Sequence, residues 1–157
     1  MPNKMTPVHD ESDPFDLERF VEAQAPVFQT ALSELKAGRK RSHWMWFIFP
    51  QLSGLGHSPR AERYGLASLG EARADLAHQL LAPRLERCAE AVLLAPAPSL
   101  NAIFGSPDDM KFHSSMTIFA LAANAGETAY RSNLERWLEG RLDPRTLDLI
   151  PPEERPF

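Results

Sequence analysis

Apolar residues along this chain recur at intervals of three and four rather than two. Leu17, Phe20, Val21, Phe28, Ala31, Leu32 and Leu35 form a stripe that predicts a helix over residues 14–37, kinked or split at Pro26 and stopped by Gly38. Leu81, Leu85, Cys88 and Val92 predict a second, ending before Pro96. A long helix is expected over residues 108–123, closed by Asn124 or Gly126. Tyr130, Leu134, Trp137 and Leu138 line one face of another that stops at Gly140, and residues 144–150 make a last short one. The polar punctuation agrees. Asp13-Pro14, Ser58-Pro59, Ser106-Pro107 and Asp143-Pro144 each place a capping residue before a proline, which loses no needed N–H at the first helical position. Ser68 and Glu71 have capping-box spacing, and Ser99 opens a turn or two ending at Gly105.

Composition sharpens this reading. Alanine and leucine together number 40 and the β-branched aliphatics valine and isoleucine only 8, a helix-forming balance. The expectation is an all-α, compact single-domain bundle of about seven to eight short and medium helices over residues 13–150. Residues 1–12 and 151–157 are expected as tails. With 157 residues, 43% hydrophobic and 24% charged, the chain has the size and make-up of one folded domain. Its net charge of -4 disfavours a nucleic-acid binder that works by neutralising phosphates. A single cysteine, Cys88, excludes an intramolecular disulfide and a thiolate metal cluster. Apolar runs such as residues 44–49 fall far short of the ~20 residues that span a bilayer. The N-terminal MPNKMTPVHDESD lacks the apolar centre of a secretory signal, so a cytoplasmic location is expected.

Candidate chemistry concentrates in two segments. The first is RKRSHWMWFIFPQLSGLGHS, residues 39–58. Length does not distinguish helix from strand for residues 44–49, but Ser42 as N-cap and the helical surroundings favour helix. Side chains every 100° cannot all face one core. At least one aromatic is therefore expected at a groove, where Trp44 or Trp46 beside Arg41 and His43 would form a stacking surface with cationic neighbours. Gly54 and Gly56 fit neither a Walker loop nor a dinucleotide fingerprint and are expected to serve turns with positive φ. Gln51 and His57 are polar groups at that turn's edge.

The second segment is FGSPDDMKFHSSMTIF, residues 104–119. Ser106 is the expected cap, and Asp108 and Asp109 complement the helix dipole in the first turn. Asp108, Lys111 and Ser115 share one face of the helix, with Ser114 one step round, so Lys111 and a serine can share an anion. The order K-x-x-S, the lack of a G-x-S-x-G elbow and the divergence of His113 from Ser114 disfavour a serine hydrolase. The five histidines show no metal-binding spacing, and no cofactor is implied.

SHWMWFIFPQLSGLG, then RLERC, then FGSPDDMKFHSSMTIF, in this order and spacing, resemble the DUF1810 family over residues 14–150. The resemblance implies a mainly α-helical single domain and supplies no activity. His113 stands where similar proteins have arginine, and AHQLLAPRL replaces the family's H-P-x-L-G turn. Some relatives carry the label calpastatin, but such inhibitors use extended repeats and this chain has none. Two functional readings stay open. In one, a pocket between the Trp44–Gln51 segment and the 108–117 helix, with Arg41, His43, Trp44, Trp46, Gln51, Asp108, Lys111, Ser114 and Ser115, binds a small anionic or nucleotide-like molecule. Hydrolysis of a glycosidic bond is the reaction such a pocket could add. In the other, the acidic N-terminal region, the basic run 36–41 and exposed aromatics contact a protein partner.

Overall fold

The computed structural model describes residues 12–156. The N-terminal tail expected over residues 1–12 therefore lies, apart from Ser12, outside the described residues. Within them are ten α-helices, one 3-10 turn and no strand. The helices are α1 Glu18–Gln24, α2 Phe28–Lys36, α3 Met45–Ile48, α4 Pro59–Arg63, α5 Leu69–Leu76, α6 Leu81–Leu93, α7 Leu100–Phe104, α8 Asp108–Ala123, α9 Ala129–Leu138 and α10 Pro144–Leu149. The count exceeds seven or eight because Pro26 divides the first stripe outright and residues 45–48 close a separate turn. None of these helices is long and apolar enough to cross a membrane.

α8 is the axis of the bundle, in contact with α5, α7, α9 and α10, while α6 packs on α2 and α9. From Phe112 to Ala122 only His113 escapes full burial on α8, so the helix is enclosed on nearly every side. A helix so placed must be apolar or carry polar groups with partners. The small side chains Ser114, Ser115, Thr117, Ala120 and Ala122 let the neighbouring helices approach closely.

Most caps form where the sequence predicts them. Ser58, Ser68, Ser99 and Asp143 accept from the amides of Ala61, Glu71, Ala102 and Thr146. Asn124 ends α8 in the left-handed conformation, φ 48°. Two expected starts differ. Asp13 does not cap a helix at Pro14; its carboxylate instead receives the amides of Leu17 and Glu18 at the later start of α1. Ser106 makes no cap either, because Pro107 occupies the N-cap position of α8. In the segment that departs from the family's turn, His78 Nδ1 accepts from the Leu80 and Leu81 amides and so opens α6. Residues 152–154 form the 3-10 turn, and Arg155 Nε donates to the Ile150 carbonyl.

One buried ion cluster joins three parts of the chain. Arg19 donates to the carbonyls of Phe15, Asp16, Arg63 and Gly65 and to Glu71 Oε2 at 2.8 Å, while Glu71 Oε1 accepts from the Ala67 amide. The capping box is thus only half formed: Glu71 reaches Ala67 rather than Ser68. One helical turn on, Asp75 is buried and its Oδ1 has no hydrogen-bond partner. Desolvation, aided by the Glu71 charge and only partly opposed by Arg19, pushes its pKa from 3.8 up to about 7. A carboxyl whose folded-state pKa is raised adds stability below its unfolded pKa and loses it as the pH climbs to the folded value. The shift corresponds to about 4 kcal/mol between those limits. Wild-type Tm should therefore fall between pH 5 and pH 8, and Asp75→Asn should flatten that fall and be the more stable protein at pH 8. Parallel melting curves at both pH values check this, and equal slopes for the two proteins contradict it.

Candidate functional site

The aromatic segment is held from behind by one carboxylate. Glu34, on α2, accepts from the amides of Arg41 and Ser42, the Ser42 hydroxyl at 2.6 Å and the Trp44 indole N–H at 2.9 Å. Ser42 is therefore not the N-cap of α3; that position falls to Trp44, which is fully buried. Desolvation would raise the Glu34 pKa, but the hydrogen bonds from Ser42, Arg41 and Trp44 outweigh it and bring the carboxyl from 4.5 down to about 2. Lys40 completes the anchor. Its amide donates to the Ile103 carbonyl and its ammonium pairs with Asp108 at 3.1 Å.

The six apolar residues divide by rotation about α3. Trp44, Met45, Ile48 and Phe49 are buried, whereas Trp46 and Phe47 are half-buried. Phe49 packs edge-on against Phe112 of α8, ring centres 4.9 Å apart, which sets the segment against that helix. Phe47 meets Tyr64 edge-on at 4.8 Å. Beyond Pro50, the Gln51 carbonyl accepts from the Leu66 amide and the Leu66 carbonyl from the Ser53 amide, a single bridge in place of a strand. Gly54 has the expected positive φ, +100°, but Gly56 does not: an added Cβ there would lie 2.7 Å from Ala61 Cβ. Gly56 is needed for close approach to α4.

These walls enclose a two-chambered cleft. The inner chamber, between Met45, Trp46, Phe49, Pro50, Gln51, Ala61, Tyr64, Gly65 and Lys111, has about 20 Å³ of free space, room for roughly one water. The outer chamber, about 170 Å³, lies between Gln51, Leu55, Pro107, Met110, Lys111, Ser114 and Arg145. Gln51 and Lys111 stand at the boundary and line both. The Lys111 ammonium is 3.4 Å from Asp108 and 5.2 Å from the centre of the Trp46 ring, which Arg60 also approaches, at 5.1 Å. The Trp46 indole N–H is buried without a partner.

Five of the nine expected residues thus converge: Trp46, Gln51, Lys111 and Ser114 line the cleft, and Asp108 pairs with Lys111. Four do not. Trp44 has no exposed face to offer a ring, so any stacking falls to Trp46. Arg41 and His43 are exposed and line neither chamber. Ser115 is wholly buried, its hydroxyl without a partner. Ser114 lines the outer chamber but donates its hydroxyl to Asp143 Oδ2 at 2.8 Å. Asp143 also accepts from the Thr146 amide and hydroxyl. Burial raises its pKa, but the bonds from Thr146 and Ser114 and the nearby His113 prevail and hold it below the usual value. The His113 ring hydrogen-bonds the Arg141 carbonyl and not either serine.

The family described as a protein of unknown function (DUF1810) matches residues 14–150. The chain belongs to the DUF1810 family. It is 54% identical to the conserved hypothetical protein Rv1873 from Mycobacterium tuberculosis, whose crystal structure superposes with a TM-score of 0.85 over 88% of this chain and 98% of that one. No curated protein matches.

Three contributors to this DUF1810 cleft carry no local signal of their role. Glu34 reads as one more acid on an amphipathic helix, yet it fixes the whole Arg41–Trp44 turn. Tyr64 lies outside both segments that the sequence singles out for chemistry. Arg145 lies 90 residues from Leu55, whose carbonyl accepts from its Nη2. Glu34→Ala should leave the Trp44 N–H unsatisfied and cost about 1–3 kcal/mol in chemical denaturation. Because the Glu34 pKa is depressed, its contribution is present above 4.5 and lost as the pH falls toward 2. Wild type and variant should therefore converge in stability on acidification, and a gap that stays constant from pH 6 to pH 2.5 contradicts that assignment.

Proposed function

We propose that this protein binds a small anionic molecule in the cleft between residues 45–51 and α8. The observation that carries the reading is the charge of its lining. Among the described residues, Lys111 and Arg145 line the outer chamber and no carboxylate does. The nearby acids are already engaged, Asp108 by two lysines and Asp143 by three donors. Gln51 adds a neutral donor and acceptor at the boundary, and Met110, Leu55 and Pro107 supply apolar contact. This mix of apolar wall and a few polar groups is typical of ligand sites.

The size of the outer chamber, below the roughly 300–1,000 Å³ of most ligand pockets, favours a compact anion or the charged end of a larger one. A nucleotide-like ligand would place its phosphate in the outer chamber and leave its ring beyond the chamber wall. The reading is one of binding. Ser114 and His113 are both committed to other partners, so neither acts as nucleophile or base in this arrangement.

A protein-interaction role is favoured by a different surface. Leu94 is 79% exposed beside a groove formed by Leu32, Lys36, Arg87, Glu90 and Ala91. The two readings predict different outcomes in a thermal-shift screen of nucleotides and phosphorylated metabolites, run on wild type and Lys111→Ala. A ligand at 100 times its Kd adds about 2.7 kcal/mol, or about 5–10 °C in Tm for a domain of this size. A shift lost in Lys111→Ala supports the cleft. A screen with no shift, on a folded protein, rejects it in favour of the Leu94 surface.

A further inference from the structure

The outer chamber carries more information than its sign. Its two cations come from different helices and are held differently. Lys111 projects from the second turn of α8, where Asp108 is shared between it and Lys40. Two ammonium groups on one carboxylate leave a positive balance, so Asp108 positions Lys111 without neutralising it. Arg145 projects from α10 and spends one N–H on the Leu55 carbonyl at 3.2 Å. A guanidinium has five N–H donors, so four remain. That bond ties the Arg145 side chain to the chamber wall at Leu55 and leaves donors for a ligand.

α10 itself does not float. Asp143 at its start accepts from Ser114 of α8 and from Thr146, and its own amide donates to the Thr117 hydroxyl. Ser114 thereby gives its proton to the scaffold and acts as wall rather than as donor to the ligand. The chamber thus offers a point cation from α8 and a planar fork from α10, with Gln51 on the same lining.

We infer that Lys111 and Arg145 together form a subsite for a dianionic tetrahedral oxyanion, a phosphate or phosphate ester, with Arg145 the specificity-determining residue. This rests on the proposed cleft and adds a second, independent anchor to it. A carboxylate can bridge the two groups through its two oxygens but brings only one charge to two cations. A phosphoryl group has three oxygens and about two charges near neutral pH, so it can engage a fork and an ammonium at once.

Binding of inorganic phosphate, phenyl phosphate, sulfate and formate is measured by tryptophan fluorescence at pH 8 and fixed ionic strength. The proteins compared are wild type, Lys111→Ala, Arg145→Ala and Arg145→Lys, each checked for folding by circular dichroism. The expected result is binding of the three dianions at least tenfold tighter than formate, a tenfold or greater loss in each alanine variant, and partial recovery in Arg145→Lys. Phenyl phosphate binding more tightly than phosphate assigns an ester with an adjoining ring, and equal binding assigns the free anion; both uphold the subsite. Binding that depends on Lys111 but not on Arg145, or formate binding as well as phosphate, overturns this inference and leaves the anion cleft standing. Binding unaffected by either substitution, or no binding by the folded wild type, overturns both.

Discussion

The enclosure of α8 sets the terms for the rest of the molecule. A helix packed on nearly all sides has no water to satisfy its polar side chains, and each buried group left unpaired costs about 1–3 kcal/mol. Ser114 and Thr117 resolve this by bonding to the start of α10: Ser114 donates to the Asp143 carboxylate, and Thr117 accepts the Asp143 amide. Both hydroxyls also donate to carbonyls of α8 itself, at Met110 and His113, so each ties the short helix to the central one while Ser115 stays without a partner. Arg145, two residues on, reaches the cleft as a consequence. Nearer its N-terminus α8 emerges from the core, and there Lys111 is half-buried at the same cleft with Asp108 paired beside it.

The other wall of the cleft follows the same logic with loops in place of helices. Residues 39–44 and 63–67 have too little regular structure to hold themselves. Glu34 organises the first by collecting four donors, and Arg19 organises the second by spending its donors on carbonyls and on Glu71. The Arg19 charge is paired with Glu71 and the Glu34 charge is met by four neutral donors, so both are tolerable where they sit. Asp75, next to the second cluster, lacks such pairing, and its raised pKa is the cost of that arrangement. Functional residues on loops placed by a rigid scaffold are a common solution, and here the scaffold acts through a few ionised side chains.

Whether a feature was legible in the sequence depended on how far apart its parts lie. The caps at Ser58, Ser68, Ser99 and Asp143 and the left-handed stop at Asn124 involve partners within four residues, and all were readable. Ser42 looked like the same kind of cap, but Glu34, eight residues back, took its hydroxyl. The run 44–49 announced that some aromatic must leave the core without showing which. Four residues of helix do not define a stripe, and the choice between Trp44 and Trp46 was made by the Glu34 bond to the Trp44 indole. Lys111 and Gln51 were nominated from two segments that do meet. Arg145 was not, since nothing in PRTLDL signals a contact with Leu55.

The electrostatics of the cleft run against those of the chain. The protein carries a net charge of -4, and a uniform distribution of its acids would repel an anion. The acids closest to the cleft are instead consumed as structural acceptors. Glu34 holds backbone and indole N–H groups, Asp143 holds hydroxyls and an amide, and Asp108 is divided between two lysines. Those bonds fix where each carboxylate sits without removing its charge, and none of the three lines the outer chamber. The cations have spare donors by contrast: Arg145 uses one of its N–H groups on Leu55, and Lys111 stands between a shared carboxylate and an aromatic face. Lys111 and Arg60 both lie over the Trp46 ring, so the indole face gathers two cations beside the cleft without cancelling either charge. Folding uses the acids here and leaves the cations partly unsatisfied, and on the binding role proposed above that imbalance is what would let an acidic protein favour anions locally.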